Sequence, residues 1–201
     1  MTNLPNPAPE QDPINRFREV FKLAQEKVTV DPTAMTLATC TKDGYPSARI
    51  VLLKDVSHQG FVFFTNYHSR KSREMEQNPR AALCFYWPEI NQQIRVEGTI
   101  SKLANRDSDA YFQSRPRLSQ VGAWASDQSQ PLRSRQELLA RVADIEKKYE
   151  DQPVPRPSFW GGYLLRPSAI EFWINGEFRL HDRFVYSLEQ DGTWFVQRLN
   201  P

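Results

Sequence analysis

Residues 35–66 read MTLATCTKDGYPSARIVLLKDVSHQGFVFFTN, and this stretch decides the fold class. It contains three runs rich in β-branched and aromatic residues, at 35–41, 47–54 and 61–66, which is the composition of β-strands. A Lys42-Asp43-Gly44 turn separates the first two runs, and a short loop ending at Gly60 separates the last two. Connections this short favour antiparallel neighbours, so we predict a β-meander here.

The rest of the chain mixes helical and strand patterns. Apolar residues at helical spacing follow Pro13, and the predicted helices cover 13–27, 69–78, 105–113 and 133–149. In the last of these, an apolar stripe is expected to face the core: Leu138, Leu139, Val142 and Ile145. The further predicted strands are 81–87, 92–103, 163–165, 169–173, 184–187 and 194–198, and ordered loops are predicted at 114–132 and 151–157. Strands dominate, so the predicted fold is mainly β with flanking helices (α+β), a split or Greek-key β-barrel.

Length and composition limit the possible classes of protein. The 201 residues suit one domain, 13–201, preceded by a polar, Pro-rich flexible arm at 1–12. A net charge of +2 offers no large field for nucleic acid or membranes, and no window approaches the roughly 18 apolar residues of a membrane span. Cys40 and Cys84 show no metal-ligand spacing, so we expect buried free thiols and no metal. The prediction is a soluble, cytoplasmic protein.

One cluster of cationic groups follows the Asn175-Gly176 pair. If residues 179–183 form a strand, Arg179, His181 and Arg183 share one face while Leu180 points to the core. Such a face suits an anionic, flat aromatic ligand. A solvated strand face with a local counterion is the alternative.

Three further clusters suit phosphate groups. Arg49 and Lys54 end an apolar strand on opposite faces, about 17 Å apart. Residues 64–71 run from a strand into a helix N-terminus carrying Arg70 and Lys71, without a glycine-rich loop. The third cluster lies at a helix end and the following loop, and consists of Tyr111, Arg115, Arg117 and Ser119. Each cluster also has a simpler explanation. The first can be charges at the ends of a strand, the second a solvated helix end, and the third a packed tyrosine beside an exposed arginine.

The sequence shows no pattern of nucleophilic catalysis, so a bound cofactor is expected to supply the reactivity. From about Phe17 to Pro201 the chain resembles pyridoxine 5'-phosphate oxidases. The resemblance is carried by the segments 49–54, 63–71, 111–124, 157–162, 170–173, 179–183 and 198–201. It implies an FMN-binding split β-barrel that acts as a homodimer, with FMN between the subunits.

The resemblance also implies roles for individual residues. The expected FMN contacts are Arg49, Ile50, Val51, Leu52, Leu53, Lys54, Phe64, Thr65, Arg70, Lys71, Gln93, Gln128, Ser129, Trp173 and Arg183. The substrate phosphate is expected at Lys54, Tyr111, Arg115 and Ser119, while Arg179 and His181 flank the reacting pyridine ring as catalytic residues. Two positions depart from the family pattern: Phe64 replaces a frequent Tyr, and Phe178 stands at a position that is often polar.

The implied reaction is oxidation of pyridoxine 5'-phosphate or pyridoxamine 5'-phosphate to pyridoxal 5'-phosphate by O2, releasing H2O2 and, from the amine, ammonia. Two alternatives remain. One is a related FMN oxidase of another flat anionic ring, of the phenazine-pathway type. The other is a non-catalytic protein that binds flavin or pyridoxal phosphate.

Overall fold

A computed structural model of the chain describes residues 12–201. The helices are α1 (Pro13–Lys27), α2 (Arg70–Gln77), α3 (Asn105–Ser114), α4 (Arg117–Ala125) and α5 (Arg135–Lys148). The strands are β1 (Ala34–Cys40), β2 (Pro46–Leu52), β3 (Asp55–Ser57), β4 (Gly60–Asn66), β5 (Arg80–Trp87), β6 (Gln92–Lys102), β7 (Trp160–Ile174), β8 (Asp182–Leu188) and β9 (Trp194–Leu199). Asp12 caps α1 by accepting the N–H groups of Ile14 and Asn15. The rest of the predicted arm at 1–12 lies outside the described residues.

The strands of the described range form one antiparallel sheet in the order β2-β1-β5-β6-β7-β4-β3, with β8 paired to β7 and β9 to β8. The meander predicted over 35–66 is therefore wrong. β1 and β2 form a hairpin, but β4 pairs with β3 and β7 and only lies near β2. The two strands differ in burial. Both faces of β4 are covered, so β4 lies inside the sheet between two other strands, whereas alternate residues of β2 are exposed and β2 lies at the edge. The barrel is consequently split between β2 and β4.

Helix α1 closes the base of the barrel. Its predicted apolar stripe is confirmed, because Phe17, Val20 and Ala24 are fully buried. The Phe17 ring packs against Phe61 of β4 and Phe85 of β5, with ring centroids 4.8 and 5.1 Å away. Aromatic packing of this kind fixes the helix on the sheet and holds the strands behind the split in place.

Helices α3, α4 and α5 pack beside the start of β7 around a second, small core, made of Phe112, Val121, Val154 and Trp160. The prediction of a loop over 114–132 is wrong for its centre, where α4 forms and buries Val121. The expectation that α5 faces the core is also wrong in part. Val142 and Ile145 pack against the second core as half-buried residues, but no residue of α5 is fully buried and Leu139 is 53 % exposed.

Residues 179–183 do not form one strand, so the condition for Arg179, His181 and Arg183 to share a face is not met. Residues 177–179 form a short 3-10 turn in which Phe178 and Arg179 have φ angles of 55° and 65°, and β8 begins only at Asp182. Left-handed residues break the alternation of side chains. Leu180 therefore does not point to the core but is 70 % exposed.

Within the described range, no helix is long and apolar enough to cross a membrane. Cys40 and Cys84 are free thiols, each partly buried. Burial raises the pKa of the Cys84 thiol, which favours its protonated form.

Candidate functional site

A cleft of about 480 Å³ lies at the split between β2 and β4. Ile50, Val51 and Leu52 of β2 line one wall, and Phe64 and Thr65 of β4 line the other. Ile50 is 61 % exposed, although an apolar side chain of this size is commonly buried. The size and apolar walls are those of a site for a small organic ligand, since such sites occupy about 300–1,000 Å³.

One end of the cleft contains a half-buried lysine. Lys71 lies in the first turn of α2, where its ammonium group donates to Gln128 Oε1 at 2.7 Å and to Thr65 Oγ1 at 3.2 Å. Burial and the nearby charge of Arg49 lower the pKa of Lys71 to about 8, while the charge of Glu74 acts in the opposite direction. An ammonium group that is desolvated and repelled in this way is stabilised by an anion.

Two arginines stand beside this lysine, behind the residues that line the cleft. Arg49 NH2 lies 3.3 Å from Glu74 Oε2, and Arg70 Nε donates to Glu74 Oε1 at 2.8 Å. Arg49 also donates to the main-chain oxygen of Leu37 at 3.2 Å. Three cations therefore converge on the N-terminal turn of α2, where free N–H groups add a further preference for anions.

The other end of the cleft is aromatic and carries a second cation. The rings of Phe64 and Tyr111 stack with centroids 3.9 Å apart, and Trp160 lies nearly parallel to Phe64 at 5.4 Å. The guanidinium of Arg115 sits 4.6 Å from the centre of the Trp160 ring. Its NH1 atom is buried without a hydrogen-bond partner among the described residues, and burial lowers the pKa of Arg115. A buried donor without an acceptor indicates room for an anionic ligand.

The structure brings three of the four residues of the third predicted cluster together, and Lys54 of the first cluster joins them. Lys54, Tyr111, Arg115 and Ser119 all line the cleft. Arg117 does not join them, because its guanidinium donates to the carbonyl oxygens of Tyr149 and Gln152 at the end of α5. It links helices and does not contribute to the site.

A second group of predicted residues lies elsewhere on the chain. Gln93, Trp173 and Arg183 are direct neighbours across β6, β7 and β8, and the His181 ring stands 4.5 Å from Trp173. Arg183 Nε donates to the buried carboxylate of Glu171 at 2.9 Å. We call Gln93, Trp173, His181 and Arg183 the β7 patch. None of its members lines the cleft between β2 and β4.

The remaining predicted residues have different surroundings. Leu53 belongs to the core, at 4 % exposure. Ser129 and Arg179 are exposed and have left-handed backbone angles. Glu74 was not predicted from the sequence, where its only local signal is the spacing of four residues from Arg70. Trp160, which lines the cleft, was also given no role.

The antiparallel sheet, its split and the cation-lined cleft define the class of protein: a split β-barrel of the FMN-binding type. Solved structures agree with this assignment. PhzG from Burkholderia lata 383, in complex with tetrahydrophenazine-1-carboxylic acid, is 31 % identical with a TM-score of 0.89, and the match covers 98 % of this chain and 95 % of that one. A pyridoxamine 5'-phosphate oxidase-related, FMN binding protein from Nostoc punctiforme has the same fold, at 17 % identity and a TM-score of 0.77 over 98 % of this chain and 100 % of its own.

Sequence comparison identifies the family. Residues 21–149 match the family described as pyridoxamine 5'-phosphate oxidase, and residues 160–201 match its relative described as the pyridoxine 5'-phosphate oxidase C-terminal dimerisation region. The pyridoxine/pyridoxamine 5'-phosphate oxidase of Myxococcus xanthus (strain DK1622) is 58 % identical over 190 residues, covering 94 % of this chain and 92 % of that protein. The chain belongs to the pyridoxine/pyridoxamine 5'-phosphate oxidase family. It is an oxidoreductase, and FMN is its cofactor.

The described residues fit this cofactor. A phosphate monoester matches the cations around Lys71, because an adjacent anion stabilises an ammonium group that is partly desolvated and repelled by Arg49. A flat ring system matches the apolar wall of Ile50 and Leu52. The orphaned NH1 atom of Arg115 lies at the other end of the cleft and is left for a second anionic group.

Proposed function

We propose that the protein oxidises pyridoxine 5'-phosphate and pyridoxamine 5'-phosphate to pyridoxal 5'-phosphate with O2 as the final electron acceptor. The alcohol and O2 give the aldehyde and H2O2. The amine consumes a water molecule in addition and releases ammonia. The observation that carries the proposal is that Lys54, Tyr111, Arg115 and Ser119 line the same cleft as Lys71.

Each end of the cleft binds one phosphate group. Arg49, Arg70 and Lys71 hold the phosphate of FMN, which explains why three cations gather at the start of α2. Arg115 binds the substrate phosphate through the NH1 atom that no described residue accepts. Lys54 and the hydroxyl groups of Tyr111 and Ser119 complete that second subsite.

When bound, FMN supplies the acceptor for the hydride that leaves C4' of the substrate and the route by which electrons reach O2. The residues of the chain orient the two rings and exclude water from them. His181 has a defined part in this orientation: its Nδ1 accepts the N–H of Gly176 at 3.2 Å. While this bond is made, a neutral His181 carries its proton on Nε2, where it serves as a donor to the substrate. Arg179 covers the same ring as a cation.

We further propose that residues 13–201 form one domain and that the active unit is a homodimer. The match of residues 160–201 to a dimerisation region supports this state. The β7 patch carries Gln93, Trp173 and Arg183 but lies outside the cleft of its own chain. In the dimer, the patch of one subunit completes the cleft of the other.

The reaction is tested by aerobic turnover of purified, FMN-loaded protein, with aldehyde and H2O2 measured in the same sample. We expect equal amounts of the two products from pyridoxine 5'-phosphate, and an equal amount of ammonia as well from pyridoxamine 5'-phosphate. If the protein binds FMN but forms neither product, the proposed reaction is wrong, and the protein either only binds its ligands or oxidises another substrate.

The second candidate function is oxidation of an anionic polycyclic ring, and the likeness to PhzG favours it. The cleft holds Lys54 and two hydroxyl groups in addition to Arg115, and this set of donors suits the three free oxygens of a phosphate better than the two of a carboxylate. Tetrahydrophenazine-1-carboxylic acid offered under the same conditions distinguishes the two functions. We expect turnover of the phosphorylated substrates to be much the faster.

A further inference from the structure

Glu74 occupies an unusual position for a helix carboxylate. Its side chain is only 5 % exposed, and its two oxygens receive different partners. Oε1 accepts from Arg70 Nε at 2.8 Å, whereas Oε2 accepts from the hydroxyl groups of Ser47 at 2.6 Å and Thr39 at 2.5 Å. A surface pair four residues apart on a helix receives no such additional hydrogen bonds from hydroxyl groups.

The same carboxylate also fixes Arg49. The NH2 atom of Arg49 lies 3.3 Å from Glu74 Oε2 and donates to Ser47, while its NH1 atom donates to Thr39 and to the Leu37 carbonyl. The guanidinium is thus held by several acceptors and cannot rotate freely. Its position relative to Lys71 depends on the carboxylate at the centre of this network.

We propose that Glu74 is a positioning residue for the cofactor phosphate, holding Arg49 and Arg70 at fixed places beside Lys71. The inference rests on the proposed function, in which these three cations bind the phosphate of FMN. Glu74 itself does not touch the phosphate, because like charges repel. It acts through the two arginines that it orients, one on a strand and one on a helix.

Charge balance supports this role. Three cations, Arg49, Arg70 and Lys71, less the one carboxylate of Glu74 leave a net charge of +2 around the phosphate subsite. A phosphate monoester carries about −1.5 to −2 near pH 7. Without Glu74 the three cations repel one another with no internal counterion, and the side chains separate into solvent before the ligand arrives.

The test is titration of the apoprotein of Glu74→Gln with FMN and, separately, with riboflavin, following quenching of flavin fluorescence. Riboflavin has the same ring but no phosphate. We expect FMN to bind about 10- to 100-fold more weakly than to the wild type, the range for loss of charge-assisted hydrogen bonds, and riboflavin to bind within about twofold of the wild type. A purely structural role would weaken both ligands alike, and that result would overturn the proposal.

Matched variants separate the possible failures. Glu76→Gln removes a carboxylate of the same helix that is 50 % exposed and pairs with Lys102, and it should leave both affinities unchanged. Lys71→Ala tests the phosphate subsite itself. If Lys71→Ala weakens FMN but Glu74→Gln leaves it unchanged or tightens it, the inference fails and the subsite stands. If Lys71→Ala has no effect on FMN, the proposed subsite fails first.

A milder variant keeps the test available should Glu74→Gln not fold. Ser47→Ala removes one hydroxyl that donates to Glu74 and accepts from Arg49, on a half-buried strand position. We expect a loss of about three- to tenfold in FMN affinity, with riboflavin affinity unchanged. An unchanged FMN affinity in this variant would contradict the positioning role.

Discussion

Lys71 illustrates how the environment of one residue favours the binding of an anion. Burial is the first cause of its lowered pKa, and the charge of Arg49 is the second. A bound phosphate acts in the opposite direction, because an adjacent negative charge favours the ammonium form. Binding of FMN above pH 8 must therefore be accompanied by uptake of a proton.

The resulting prediction concerns the pH dependence of FMN affinity. Since Lys71 has a pKa of about 8 in the free protein, affinity should fall above that pH, by up to about tenfold per unit. Titrations of apoprotein with FMN between pH 7 and pH 10 measure the slope. Riboflavin should show no such fall, and Lys71→Arg should abolish it, because arginine stays charged throughout. An equally steep fall for riboflavin would assign the effect to another group.

Arg115 gives a second prediction at the scale of one residue. Arg115→Met removes the cation but keeps an apolar side chain against Trp160. We expect KM for pyridoxine 5'-phosphate to rise about 10- to 100-fold, corresponding to about 1.5–3 kcal/mol, with FMN affinity unchanged. The control is Arg117→Ala, which breaks contacts to the end of α5 and should lower Tm without this rise in KM. An unchanged KM in Arg115→Met would remove Arg115 from the substrate site.

Individual site residues differ in how far the sequence reveals them. Lys54, Tyr111, Arg115 and Ser119 stand in recognisable segments, and the structure brings them together in one cleft. Glu74 was not predicted, because its burial depends on Thr39 and Ser47, 35 and 27 positions away. Nothing in the local pattern of a helix indicates which carboxylate will be buried.

At the scale of elements, Glu74 joins α2 to the β1–β2 hairpin. Burial alone would raise the pKa of Glu74, but hydrogen bonds from Ser47, Thr39 and Arg70 and the charge of Arg49 outweigh it and lower the pKa from 4.5 to about 2. Because the folded-state pKa is depressed, the contribution to stability is complete above about pH 4.5. It is lost as the pH falls through that value toward 2.

The prediction is that acid weakens the attachment of α2 more in the wild type than in a variant without the carboxylate. Between pH 6 and pH 2, the wild type should lose up to roughly 3 kcal/mol of unfolding free energy through Glu74, beyond the loss in Glu74→Gln. Urea unfolding at several pH values measures both. Glu76→Gln should retain the wild-type pH dependence, and equal pH dependence in wild type and Glu74→Gln would contradict the assignment.

Helices and strands with a clear periodicity of apolar residues were predicted well. Elements whose conformation depends on contacts with other elements were not. Strand β7 was predicted as two pieces because Arg166-Pro167-Ser168 reads as a break, yet it is continuous. Pro167 lacks an N–H group and faces Gly98, and β7 bulges beside it at Ser168, which the register leaves without a paired residue on β6. Helix α4 was missed because its segment is rich in polar residues, and it forms against a core supplied by α3 and β7.

At the scale of the whole molecule, the fold class could be predicted from the alternation of apolar and polar residues and from the short turns. The order of the strands in the sheet could not. The pairing of β4 with β7 joins residues about 100 positions apart in the sequence. It is favoured because both faces of β4 are buried, which requires an interior place in the sheet. The proposed homodimer likewise cannot be found from periodicity. The β7 patch is a mixture of half-buried polar and aromatic groups around Trp173, without an apolar stripe.

Dimerisation leads to a prediction about shared sites. If the β7 patch of one subunit completes the cleft of the other, Lys71→Ala and Arg183→Ala should each impair activity but complement each other. In a mixed dimer, one of the two sites carries both changes and the other carries neither, so the isolated mixed dimer should recover about half of wild-type activity. Co-expression with two different affinity tags isolates the mixed dimer. Activity no higher than that of the separate variants would mean that each chain forms its site alone.

The most direct measurement of the central claim compares kcat/KM for pyridoxine 5'-phosphate and for unphosphorylated pyridoxine, using FMN-loaded protein in air. We predict aldehyde and H2O2 in equal amounts from the phosphorylated substrate, with kcat/KM at least about 100-fold above that of pyridoxine, since several charge-assisted bonds to phosphate are lost. Equal kcat/KM for the two substrates would contradict the phosphate subsite of Arg115. Absence of both products from FMN-loaded protein would contradict the oxidase itself.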